Sequence, residues 1–136
     1  VATMDGAASS VNDAIEHFGR LNILFNGAAI LGYGKVHELE EHVWDEVIRV
    51  NLKSVFAMVH HAAPHMIRQG GGVILNIAST HAFTIIQHTF PYPLAKHALL
   101  GMTKSLGLEY AAKNIRVNAL APGIVDTPMW RQLDQE

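Results

Sequence analysis

Tyr92 and Lys96 stand four residues apart in the run Pro91-Tyr92-Pro93-Leu94-Ala95-Lys96, a spacing that places two side chains one above the other on a helix face. Such a pair can move a proton. A phenol with a reference pKa near 10 needs about 3 pH units, or roughly 4 kcal/mol, to act as acid or base near neutrality. An ammonium about 4 Å away supplies a similar amount at an effective dielectric near 20, and the helix dipole adds a little. The spacing therefore predicts that Lys96 lowers the Tyr92 pKa. Taken alone the pair is weak, because three Tyr and five Lys in 136 residues give about 0.1 such pairs by chance. Ser79, thirteen residues before Tyr92 at the end of an apolar run, cuts the joint chance to about a few in a thousand. Its hydroxyl can donate to the oxygen that Tyr92 protonates and stabilise charge there.

Other polar residues need weighing beside these. Asn51 falls on or beside the apolar stripe of a predicted helix, where an unsatisfied amide costs free energy. His81 and His88 lie between Ser79 and Tyr92 and are candidate substrate contacts that favour a hydroxyl-rich molecule. Loop histidines are more often simply solvated. His60, His61 and His65 have helical spacing, but no Glu of an H-E-x-x-H motif accompanies them. A partly exposed helix surface explains them better than a metal site.

The elements that must carry these groups alternate. A helical pattern over about 8–18 closes at Gly19, and an apolar strand from Leu21 to Phe25 ends at Asn26-Gly27. A long helix follows over about 39–68, with Trp44, Val47, Ile48, Val55 and Val59 on one stripe and a kink expected at Pro64. Val73 to Ile77 reads as a strand covered on both faces. A helix over about 91–113 follows, and then a strand from Ile115 to Leu120 stopped by Pro122-Gly123. Gly101 inside that helix predicts close packing against another element. This alternation is an α/β class with a parallel sheet. Ligands of such sheets bind beyond the carboxyl ends of the strands, here Asn26 to Ala29, Ser79 to His81 and Ala121 to Thr127.

Composition fits one globular domain: 49% hydrophobic and 16% charged residues, a net charge of −2, and no Cys. Nucleic acid finds no basic cluster, and no apolar run approaches the roughly 20 residues of a membrane span. Disulfides, thiol nucleophiles and Fe–S sites are excluded. No signal peptide opens the sequence, so a cytoplasmic location is expected.

The Ser79, Tyr92 and Lys96 set resembles the Ser…Tyr-x-x-x-Lys constellation of the classical short-chain dehydrogenase/reductases, and the likeness extends along the whole chain. Asn51 in Val50-Asn51-Leu52 resembles the family's fourth catalytic residue. Leu24-Phe25-Asn26-Gly27-Ala28-Ala29 is similar to its Asn-Asn-Ala-Gly strand end. Arg116 to Gly123 with Val125 and Thr127 resembles the loop that contacts the nicotinamide. The resemblance implies a Rossmann-like, doubly wound parallel sheet with helices on both faces. It also implies hydride transfer between NAD or NADP and a secondary alcohol or ketone, a sugar or other polyol being one candidate class. Tyr92 would pass the proton, Ser79 would bind the reacting oxygen, Lys96 would hold the nicotinamide ribose, and Asn51 would anchor a water. Asn26, Gly27, Ala28, Tyr92, Lys96, Pro122, Gly123, Val125 and Thr127 would contact the cofactor.

Two departures from the family pattern stand out. Ala29 has a Cβ where the family has Gly, predicting strain if the turn needs positive φ. No strand here runs into a Gly-rich turn and a helix, the arrangement that holds a pyrophosphate. In family order that turn lies upstream, so residues 1–136 are expected to be the catalytic part of one larger domain, with the apolar edge at Leu21 to Phe25 needing a neighbour. The partners implied are a small alcohol or carbonyl compound, neither nucleic acid nor membrane, and a second copy of the chain as dimer or tetramer through helices 39–68 and 91–113. The rival readings are a catalytically silent interaction module and an epimerase or dehydratase that also uses Tyr-x-x-x-Lys.

Overall fold

The computed structural model describes residues 2–133. The first helix, α1 (Met4–Phe18), starts earlier than its apolar periodicity indicates, because Thr3 caps it: the Gly6 N–H donates to Thr3 Oγ1 at 3.1 Å. It ends where the Gly19 N–H donates to the Ile15 carbonyl at 2.8 Å, with Gly19 at φ 73°, the left-handed cap that glycine adopts without strain. Then come β1 (Ile23–Asn26), α2 (Glu41–Ile48), a π-helical turn at Arg49–Lys53, α3 (Ser54–Arg68) and β2 (Gly72–Ile77). A short 3-10 turn (Thr80–Ala82), α4 (Tyr92–Tyr110), a second 3-10 turn (Ala111–Lys113), β3 (Ile115–Leu120) and α5 (Pro128–Leu133) complete the order.

The expected single helix over 39–68 is thus interrupted at 49–53. Pro64 lies inside α3, which continues to Arg68. Within the turn at 49–53 the Asn51 side chain donates to the helix carbonyl of Val47.

The three strands form one parallel sheet in the order β1-β2-β3. Leu24 pairs with Ile74 and Ile74 with Val117, while Asn26 pairs with Asn76 and Asn76 with Ala119. These residues share one face, because side chains alternate along a strand. On that face Leu24, Ile74 and Ile115 join Val11 of α1, Val55, Val59, Ala62 and Met66 of α3 and Leu99 of α4 in the hydrophobic core.

The opposite face carries no helix among the described residues, so the layer expected there is not supplied by them. Ile23 is 64% and Phe25 61% exposed, and β1 alternates exposed and buried along its length. In β2 only Ile74 and Asn76 are buried, so this strand is covered on one side. Gly101 is exposed, and a Cβ there would have no neighbour within 4 Å, so the predicted close packing is not made among the described residues. No helix among the described residues is long and apolar enough to cross a membrane.

Candidate active site

Parallel strands bring their carboxyl ends to one edge of the sheet, and the loops leaving β2 and β3 are tied together there. The Ala78 N–H donates to the Leu120 carbonyl at 2.7 Å and the Thr80 N–H to the Pro122 carbonyl at 3.0 Å. Ser79 follows β2 directly. Its Oγ accepts from the His81 N–H at 3.1 Å, which leaves the hydroxyl proton free to point toward another oxygen.

Tyr92, the first residue of α4, is 8% exposed. Its ring is walled on several sides. His81 meets it edge-on with centroids 5.9 Å apart, Tyr33 does so at 6.2 Å, and Lys96 Nζ stands 5.5 Å from the ring centre. Lys96 is 1% exposed and donates to the Ile77 carbonyl at 2.8 Å. The i,i+4 spacing on α4 therefore brings Tyr92 and Lys96 together, as expected.

The electrostatics differ from the expectation. Burial raises the Tyr92 pKa above its ordinary value, and the hydrogen bond from Ser79, which favours the phenolate, opposes this only in part. Burial also pulls Lys96 down to about 8. Lys96 points its ammonium at a backbone carbonyl and the ring, so in this state desolvation outweighs the charge–charge attraction that the spacing alone suggests. Burial thus favours the neutral phenol of Tyr92 over its phenolate.

Asn51 is 1% exposed within the π-helical turn. Its Nδ2 donates to the Val47 carbonyl at 2.9 Å and the Ile30 carbonyl at 3.0 Å. Its Oδ1 is buried with no hydrogen-bond partner among the described residues, an arrangement that suits an ordered water. Turns of π-helix often mark functional positions.

At the end of β1, Asn26 is buried and its Nδ2 donates to Asn76 Oδ1 at 2.9 Å. Asn76 Nδ2 donates to Thr103 Oγ1 at 2.9 Å, and Thr103 Oγ1 to the Leu99 carbonyl at 2.8 Å. This buried relay stitches β1 and β2 to α4. Gly27 and Ala28 are exposed at the sheet edge, and a Cβ on Gly27 would lie 2.5 Å from the Phe25 ring. Ala29 is not among the residues with positive φ, which outside glycine are His88 and Asn114. The predicted strain at Ala29 is therefore absent.

Beyond β3, Pro122 is half-buried while Gly123 and Val125 are exposed. The Thr127 carbonyl accepts from the Arg131 N–H at 3.1 Å. His81 lies against Tyr92, whereas His88 is exposed at φ 63° in the loop before α4. His65 Nδ1 sits 3.0 Å from Arg68 Nη2 and His61 packs edge-on against His60. Among the described residues no group of three His, Cys, Asp or Glu side chains is placed to hold a metal. Tyr33, Asn76 and Thr103 escape the sequence reading. The glycines flanking Tyr33 are the only local signal, and the amide relay exists only once strands and helix are assembled.

The family profile of short chain dehydrogenases matches residues 1–136. The chain is 40% identical over 128 residues to a cyclohexanol dehydrogenase of Acinetobacter sp. (strain SE19), covering 93% of this chain and 51% of that protein. It is 36% identical over 136 residues to a 3-oxoacyl-[acyl-carrier-protein] reductase of Thermotoga maritima, covering 100% and 55%. The ligand-free structure of an aldohexose dehydrogenase of Thermoplasma acidophilum superposes with a TM-score of 0.94 at 34% identity, over 98% of this chain and 52% of that one. A gluconate 5-dehydrogenase of Burkholderia cenocepacia J2315, solved with NADP and tartrate, gives 0.93 at 30% identity over 99% and 53%. The chain spans about half the length of these relatives. A match along its full length, with the Rossmann-like sheet beneath the Ser79, Tyr92 and Lys96 cluster, makes this chain a member of the short-chain dehydrogenase family.

Proposed function

We propose that the protein catalyses the NAD(P)-linked interconversion of a secondary alcohol and its ketone. The observation that carries this reading is the convergence of Ser79, from the end of β2, with Tyr92 and Lys96, from the first turns of α4, in a buried cluster at the strand ends. Tyr92 as a buried phenol is set to give its proton to the oxygen of a ketone as negative charge builds there. Ser79, fixed by the His81 N–H, donates to the same oxygen. Lys96 offers a buried ammonium beside the phenol, and Asn51 offers an unpartnered oxygen to a water in a proton path.

The residues at the sheet edge fit a nicotinamide nucleotide. Gly27, Ala28 and Gly123 present exposed backbone with little side chain, and a Cβ on Gly123 would have only Thr80 Cγ2 near it, at 3.9 Å. Asn26, Gly27 and Ala28 would hold one part of it, and Pro122, Gly123, Val125 and Thr127 another, with Tyr92 and Lys96 at its ribose. When bound, that group supplies or accepts the hydride. His81 beside Tyr92 favours a substrate carrying further hydroxyls, and similarity to aldohexose and gluconate 5-dehydrogenases supports a polyol. Exposed apolar residues Phe56 and Ile67 on α3, and Leu94 and Leu108 on α4, support association of subunits through these helices.

Tyr92→Phe in the full-length protein should lower NAD(P)-linked turnover by about 100-fold to 10,000-fold while cofactor affinity stays within a few-fold. Undiminished turnover in that variant would overturn the mechanism.

A further inference from the structure

Tyr33 lies far from the cluster in sequence yet forms one wall of it. The segment 27–34 leaves β1 and runs back over the site, pinned at two points. The Ile30 carbonyl accepts from Asn51 Nδ2 at 3.0 Å. Three residues on, Tyr33 forms an isolated antiparallel bridge with Pro91, and the Gly34 N–H donates to the Phe90 carbonyl at 2.9 Å. The second tie grips the two residues just before Tyr92. Trp44 of α2 packs on Phe90 with ring centroids 5.6 Å apart, holding that short segment from the other side. Glycine at 32 makes the approach possible, since a Cβ there would lie 2.7 Å from Val47 Cγ2.

We infer that Tyr33 is a positioning residue for Tyr92: its ring edge fixes the rotamer of the Tyr92 phenol and keeps water off it, and its bridge to Pro91 ties the loop after β1 to the start of α4. The T-shaped contact at 6.2 Å with an interplanar angle of 90° is a favoured aromatic geometry. The titratable groups that face Tyr92 are Tyr33 from this loop, His81 from the turn after β2 and Lys96 from its own helix. Tyr33 is itself pushed up to about 12, mainly by burial and also by the charge Tyr92 would carry. It stays neutral across the working range, so its effect on Tyr92 is exclusion of water rather than charge. A Phe at position 33 should therefore serve as well as the Tyr, and a small side chain should not.

This inference rests on Tyr92 being the proton-transfer residue, and the test separates the two. In the full-length protein, Tyr33→Ala should lower the Tyr92 pKa toward 10. That shift is read without substrate from the 13Cζ resonance of labelled tyrosine, assigned with Tyr92→Phe. Tyr33→Ala should also cut kcat about tenfold, move the pH profile of alcohol oxidation to lower pH, and leave cofactor Kd within twofold. Tyr33→Phe should match the parent protein in titration and in kcat. If Tyr33→Ala does not fold, Tyr33→Thr, which keeps an extended backbone without a ring, carries the same expectation. An unchanged Tyr92 titration and kcat in the small variant, or a loss in Tyr33→Phe equal to that in Tyr33→Ala, overturns the positioning role. Full NAD(P)-linked activity in Tyr92→Phe instead removes Tyr92 as the proton-transfer residue, while the resonance still judges Tyr33.

Discussion

Lys96 is held almost fully out of water, with its ammonium donating to the Ile77 carbonyl, so its charged form is costly in the folded chain. Burial lowers its pKa from the ordinary lysine value of 10.5 to about 8. Between those values the unfolded chain binds the extra proton. The destabilisation is therefore fully present below pH 8 and is relieved as pH rises from 8 toward 10.5. Lys96→Met should raise stability at pH 7 by on the order of 1–3 kcal/mol, and the gain should shrink at pH 9.5 when urea unfolding is compared at the two values. An equal gain at both would show that packing, not charge, sets the difference. The same variant should lose turnover, since function requires the group that stability disfavours.

At the scale of elements, the site depends on how α4 is seated on the sheet. The Asn26, Asn76 and Thr103 relay does this through buried amides and a hydroxyl, each of which is costly if left unpaired. Asn76→Leu breaks both links of the relay at once and should cost roughly 2 kcal/mol or more. Combined with Asn26→Leu the losses should fall short of additive, because the second change then removes a partner already lost. Chemical denaturation of the two single variants and the double variant measures this, and strict additivity would mean that the amides act separately. The π-helical turn is the other device of this scale. By breaking the regular ladder at 49–53 it lets Asn51 reach both Val47 and Ile30, joining the long helix to the loop that carries Tyr33.

For the whole molecule the governing feature is the uncovered sheet face. The accessible surface is 8251 Å², against about 7,000 Å² for a folded monomer of this mass. The excess is comparable to a specific interface, and the exposed Ile23, Phe25 and Leu120 share that sheet face. Prepared as these 136 residues, the chain should bind a hydrophobic dye and self-associate in sedimentation. Paired Ile23→Lys and Phe25→Lys substitutions should suppress both while changing its own core little. Persistent association in that pair would move the contact to the exposed residues of α3 and α4.

Hydrophobic periodicity, the Gly19 cap and the Pro122-Gly123 stop determined the order of helices and strands from α1 to β3, though not α5, because period and turn chemistry are local properties. The four-residue spacing on α4 likewise determined that Tyr92 and Lys96 share a face, and Ser79 was legible as the end of an apolar strand. The sequence could not show that burial raises the Tyr92 pKa rather than letting Lys96 lower it, since desolvation depends on what surrounds a group in space. Nor could it show the break at Asn51, the relay through Asn76 and Thr103, or the arrival of Tyr33 beside Tyr92. Those contacts join residues 20 to 60 positions apart, and only the assembled parallel sheet, with α2, α3 and α4 arranged around it, brings them within reach.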